Sequence, residues 1–150
     1  MGKRKKESLK LPPFVALLWE LLNSKAYKAL PPSAAKALPY FLGKDKTHPK
    51  DPAYYEVEFK FTYAELKRLG FAYSTGSTLI QDLVKFGFID PVLKGGLRGA
   101  GRTASIFKRS ERWRKYDTPW FVKIDFVSFI PKPRKKLFAA PVFDMFSFKK

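Results

Sequence analysis

Six side chains between Ser74 and Lys85 carry groups suited to recognition: the hydroxyls of Ser74, Thr75, Ser77 and Thr78, the amide of Gln81 and the ammonium of Lys85. Small hydroxyl residues at the start of a helix let the backbone approach anionic oxygens, and the N–H groups there bind anions directly. A glutamine amide sets a donor beside an acceptor, the pattern that reads an adenine edge. A lysine at the end of the same stretch favours a phosphate. Further on, Lys94, Arg98 and Arg102 stand in KGGLRGAGR, and Arg112 and Arg114 in SERWRKY. Arginines on a glycine loop suit a phosphate backbone or a narrow minor groove, where the potential is most negative. These groups hold and orient a polyanion; none is placed for breaking a bond. Two plainer roles compete: the Ser and Thr hydroxyls can simply cap a helix, and residues 94–102 can be a solvated loop. Asp82 opposes a phosphate at its own position, and it is spaced to pair with Lys85 three residues on.

These residues need a scaffold, and the pattern from Phe59 to Arg109 supplies one. Val57, Phe59 and Phe61 alternate with Glu58 and Lys60, the period of a half-buried strand at a sheet edge. Thr62-Tyr63-Ala64-Glu65 has the form of a capping box, opening a helix that stops at Gly70. A second helix, about 74–86, buries Leu79, Ile80, Leu83, Val84 and Phe86 and turns Thr75, Gly76, Thr78, Gln81, Asp82 and Lys85 outward. Phe88 to Leu93 reads as a strand that Pro91 restricts to an edge or bulge, and Thr103 to Lys108 as its hairpin partner. Trp113 is expected to pack on the sheet or the first helix, with Arg112, Arg114 and Lys115 facing outward. Base stacking by Trp113 is the less favoured role.

The N-terminal half is helical in pattern. Phe14, Leu17, Leu18, Leu21 and Leu22 have helical spacing, and Ser33 is placed to cap a helix from Ala34 to about Leu42. Pro39 inside that helix removes a hydrogen bond at a cost of about 3 kcal/mol, so a kinked or short helix is expected. His48, in the polar loop GKDKTHPKDP, has no second histidine to share a metal with and reads as a surface residue. Val122, Ile124 and Phe126 alternate as a strand or extended arm, before a basic linker at 131–136 and an aromatic-rich segment at 137–148.

With 150 residues there is room for one core of ordinary size, and 45% apolar residues, 15 of them Phe, are enough to build it. The excess of 30 Lys+Arg over 13 Asp+Glu, a net charge of +17, must then lie on a folded surface and its tails. The chain has no cysteine, which excludes disulfides and thiolate metal sites and fits a reducing cytoplasm. No apolar run approaches the length of a membrane span. MGKRKKESLK is basic enough to begin a signal peptide, but no small-residue cleavage site follows, so secretion is not expected. Gly96, Gly99 and Gly101 do not make a nucleotide loop, because no helix follows and Gly-Lys-Ser/Thr is missing.

The run FTYAELKRLGFAYSTGSTLIQDLVKFGFID, the basic glycine hairpin and SERWRKYDTPWF together resemble a family of small winged helix-turn-helix proteins of bacteria and their prophages or plasmids, described as DNA-binding or replication-initiation-like. The likeness covers roughly 22–121 and is narrowed by Ser110, Arg112, Trp113 and Tyr116; Asp117 stands where the pattern has a glycine. It implies an α+β, mainly α, winged helix with a small antiparallel sheet at 13–121, between a basic disordered tail at 1–12 and a C-terminal arm at 122–150 that docks on its own core or on a partner. The implied function is non-enzymatic binding of duplex DNA in replication initiation or transcriptional control, in the bacterial cytoplasm at the nucleoid, without a cofactor or a membrane. A homodimer or protein partner would use the C-terminal tail. RNA binding or an architectural role is the alternative. A nicking or recombining enzyme would need a histidine pair or an acidic cluster that the sequence does not display.

Overall fold

The computed structural model describes residues 11–95 and 104–130; Arg98 and Arg102, the 1–10 tail and the 131–150 segment lie outside the described residues. Within them the chain is α+β: helices α1 (Trp19–Leu22), α2 (Lys25–Ala29) and α3 (Pro32–Leu42), strand β1 (Glu58–Phe61), helices α4 (Tyr63–Arg68) and α5 (Tyr73–Lys85), strands β2 (Ile89–Leu93) and β3 (Ser105–Arg109), and the 3-10 helix η1 (Arg112–Lys115). The three strands form one antiparallel sheet in the order β1-β3-β2, with Phe59 opposite Phe107 and Asp90 opposite Lys108. Both expectations for the strands hold, since β1 is an edge and Pro91 lies on the other edge beside an irregularity in register.

Helix α3 departs from the sequence reading at its start and reaches Leu42, the end which that reading gave it. Pro31 is its N-cap and Pro32 its first residue, so Ser33 lies inside the first turn and does not cap; a proline at that position has its φ already set for a helix and no N–H to leave unpaired. The helix also continues past Pro39 to Leu42. Leu38, Phe41 and Leu42 are all buried, and Phe41 stacks on Phe61 with ring centroids 4.0 Å apart. Burying three such side chains, at about 1.5–3 kcal/mol each, outweighs the hydrogen bond lost at Pro39.

The first helix is shorter than its spacing predicts. Phe14 to Leu18 are non-helical and largely exposed, and only Trp19–Leu22 are helical, with Leu21 buried. A helix this short is held by packing rather than by propensity, and residues 14–18 have little to pack against beyond the contact of Val15 with Gly43. Helix α2 went unread in the sequence: Ser24 caps it by accepting from the Tyr27 N–H at 3.1 Å, and Ala26 is buried.

The core unites α3, α5 and the sheet, and Phe126 closes it from the C-terminal side with its ring 5.7 Å from that of Phe107. Residues 122–130 therefore dock through Phe126 and the partly buried Ile124 without strand pairing, which leaves the arm of the two expected forms, strand or extended arm.

Candidate nucleic-acid interface

Helices α4 and α5 are joined by four residues, Leu69 to Ala72. Thr62 opens α4 by accepting from the Glu65 N–H at 3.1 Å, but the other half of the capping box is absent, because the Glu65 carboxylate takes Lys44 instead. Gly70 closes α4 with φ +95°, and its N–H reaches the Lys67 carbonyl while that of Phe71 reaches Leu66. Helix α5 ends the same way at Gly87, φ +89°, with Gly87 bonded to Val84 and Phe88 to Leu83. Both are Schellman closures, which need a left-handed residue just past the helix end.

The face of α5 that meets the core carries Gly76, Leu79, Ile80, Leu83 and Val84. At 100° per residue the opposite side is a single stripe of Ser74, Thr78, Gln81 and Lys85, spaced i, i+4, i+7, i+11. Ser74, Thr78 and Lys85 are exposed and Gln81 is half-buried. Thr75 and Ser77, both half-buried, flank the stripe on opposite sides. The N-cap of α5 is Ala72, which provides no side-chain cap, so none of the hydroxyls serves as a cap. Instead Thr78 Oγ1 donates to the Ser74 carbonyl at 3.2 Å, and Gln81 Nε2 donates to Ser77 Oγ at 3.3 Å. Gly76 was expected on the outward side. It is buried, where a Cβ would lie 3.1 Å from Leu66 and 3.4 Å from the Tyr63 ring; its place in the 76, 79/80, 83 register was the signal for this.

Gln81 and Lys85 also form one wall of a cleft of about 990 Å³, whose other wall is Tyr116 to Pro119, Phe121 and Lys123 to Asp125. Burial raises the Asp82 carboxyl above the ordinary carboxylate range, against the pull of the Lys85 charge. The first two turns of α5, with Ser74 and Thr78, lie outside this cleft.

Three cations assigned to the surface by sequence are engaged within the protein. Arg112 donates to Asp90 Oδ1 at 2.6 Å, to the Val84 carbonyl at 2.8 Å, to Val122 at 3.0 Å and to Ile89 at 3.1 Å. It thereby ties the C-terminus of α5, where a cation is favoured, to β2 and to the C-terminal segment. Arg114 pairs with Glu20 and lies 4.6 Å from the Trp113 ring. Lys94 donates to the Val127 carbonyl at 2.7 Å and sits over Phe126. Trp113 itself is buried and stacks on Phe88, which removes it as a base-stacking residue. Other cations around the helix pair, Lys36, Lys67, Arg68 and Lys85, form no ion pair among the described residues. Lys36 lies over the ring of Phe71, in the turn between the two helices.

The residue that sequence reasoning missed is Arg109. It is 1% exposed and donates to the carbonyls of Leu42 at 3.0 and 2.9 Å, Asp45 at 2.6 Å and Tyr54 at 3.2 Å, with its guanidinium 4.2 Å from the Tyr54 ring. The signal was alternation along β3, which puts Arg109 on the same face as Phe107. His48 is exposed and accepts from the Lys50 N–H.

Asp117 has φ +63°, the conformation that favours the glycine of the resembled pattern, and its carboxylate pairs with Lys25 at 3.5 Å. Asp117→Gly is expected to be close to neutral, whereas Asp117→Val, β-branched at positive φ, should cost about 1–2 kcal/mol in a urea melt.

No group of three or more His, Cys, Asp or Glu among the described residues is arranged to hold a metal, and no described helix is long and apolar enough to cross a membrane. Comparison of the chain with family models, with curated proteins and with solved structures finds no match in any of the three.

Proposed function

We propose that the protein is a non-enzymatic, sequence-preferring binder of duplex DNA, built as a winged helix-turn-helix that inserts α5 into the major groove and lays the 94–102 connection along the backbone or minor groove as its wing. The observation that carries this reading is the outward stripe Ser74, Thr78, Gln81, Lys85 on the second of two helices joined by a glycine turn. A helix-turn-helix presents its second helix to the groove in this way, with its N-terminal residues on base edges. Further support comes from the net charge of +17 and from Lys36, Lys67, Arg68 and Lys85 around the pair, which form no ion pair among the described residues. The resemblance to replication-initiation-like proteins favours a role at a mobile-element origin or operator.

Selection of bound sequences from a random duplex pool at about 150 mM salt, where nonspecific phosphate binding is weak, tests the proposal. An enriched motif is the expected outcome. Binding that only tracks salt, with RNA competing as well as duplex DNA, would move the reading to an RNA-binding or architectural role. On the selected duplex, Gln81→Ala should relax preference at one base position by about 1–3 kcal/mol. Lys85→Ala should weaken all sequences alike and reduce the salt slope by about one. Equal behaviour of the two variants would mean that Gln81 does not read a base.

A further inference from the structure

Two tyrosines that the stripe does not include stand beside it. Tyr63 is the first residue of α4 and Tyr73 the first of α5; they are 37% and 63% exposed, and their rings lie 5.0 Å apart at 39°. The pair is built into the fold. Buried Gly76 lets α4 and α5 approach until the Tyr63 ring lies 3.4 Å from where its Cβ would be, an ordinary contact distance, while Leu66 at 3.1 Å is closer still. Tyr73 is next to Ser74 and four residues before Ser77, which places it along the flank of the outward stripe over the first turn of α5. That turn carries no acidic residue and lies outside the cleft that holds Gln81 and Lys85.

Resting on the proposed DNA-binding role, we infer that the Tyr63–Tyr73 pair is the element that selects thymine, by covering its C5 methyl group in the major groove. Seating the Ser74–Thr78 part of the stripe in the groove brings the adjoining Tyr73 ring against base edges. The thymine methyl is the one apolar group displayed there, and a ring held in place by its neighbour loses little freedom in covering it. The phenol hydroxyls are left to donate to phosphate oxygens. The pair thus supplies a larger apolar surface than the stripe, whose one methyl is that of Thr78.

The test changes the DNA. Affinity of the full chain is measured at about 150 mM salt for the selected duplex, or an alternating A·T duplex, and for the same duplex with uracil in place of thymine. Wild type should bind the uracil duplex roughly fourfold more weakly for each methyl covered, the effect of burying one such group. Tyr73→Ala, at an exposed position, should bind both duplexes alike. Equal wild-type affinity for the two duplexes overturns the inference and leaves the DNA-binding role standing. Discrimination that survives in both Tyr73→Ala and Tyr63→Ala also overturns it, since another group, such as the Thr78 methyl, would then read the thymine. No binding to either duplex overturns the DNA-binding role and the inference together.

Discussion

Replacing Arg109 with alanine is expected to destabilise the protein by about 3–5 kcal/mol, lowering the melting temperature by roughly 10 °C or more. The guanidinium is almost fully buried, and its partners are the carbonyls of Leu42, Asp45 and Tyr54. Asp45 Oδ2, 3.7 Å away, balances its charge. Hydrogen bonds from the Thr47 hydroxyl and amide hold the Asp45 carboxyl below its ordinary range; burial works against them, and Arg109 adds to the lowering. Removing the side chain leaves three carbonyls facing a void, at about 1–3 kcal/mol for each that water does not reach. It also releases the 43–57 connection between α3 and β1 from the end of β3. Arg109→Lys should rescue little, because one ammonium cannot serve divergent carbonyls and stack on Tyr54 as a planar guanidinium does. A thermal melt of the alanine variant within about 2 °C of wild type would show that the carbonyls find other partners and that Arg109 is dispensable.

The sequence was readable where a residue's role is decided by its near neighbours. Thr62, Gly70 and Gly87 mark helix ends through bonds to residues a few positions away, and these came out as expected. The alternation that buries Phe59 and Phe61 is likewise local. Arginine is the opposite case. Arg109 meets the Leu42 carbonyl across 67 positions, Arg112 meets Val84 across 28, and Arg114 meets Glu20 across 94. A cation is assigned to solvent or to the interior by what the fold brings to it, and nothing adjacent to Arg112 in sequence announces the end of α5. Composition alone therefore overstates the interface. Of the 30 basic residues, those at 109, 112 and 114 serve the fold, which shifts the weight of the DNA-binding reading onto the stripe of α5 and the cations around the helix pair. The failure at α1 has the same origin: helical spacing from Phe14 to Leu18 gives a helix only when a neighbouring surface buries the stripe, and here the stripe is covered only in part, with Phe14 72% exposed.

Gly87→Ala and Gly70→Ala form a matched pair whose difference measures how firmly α5 is fixed. Both glycines close a helix in the same motif at nearly the same φ, +89° and +95°. Each alanine carries the cost of a left-handed conformation, about 1–2 kcal/mol. At Gly70 that is the whole effect, because nothing lies within 4 Å of an added Cβ. At Gly87 the Cβ would come within 2.7 Å of the Trp113 nitrogen and 2.8 Å of the Arg112 carbonyl carbon. These are backbone atoms that cannot swing aside, and the Trp113 N–H is itself bonded to the Gly87 carbonyl at 3.1 Å. Overpacking of this kind adds about 1–3 kcal/mol, so Gly87→Ala should lose clearly more than Gly70→Ala in urea unfolding. The strain also falls on the element that orients the site. Moving η1 away from Gly87 pulls Arg112 from the Val84 carbonyl and loosens Trp113 from Phe88, the contacts that hold the C-terminal end of α5 against β2. On the proposed DNA-binding role, Gly87→Ala is therefore expected to weaken duplex binding even at temperatures where the protein is fully folded, while Gly70→Ala keeps near-native affinity. Equal stability losses in the two variants would mean that η1 yields freely and that α5 is not clamped at its end.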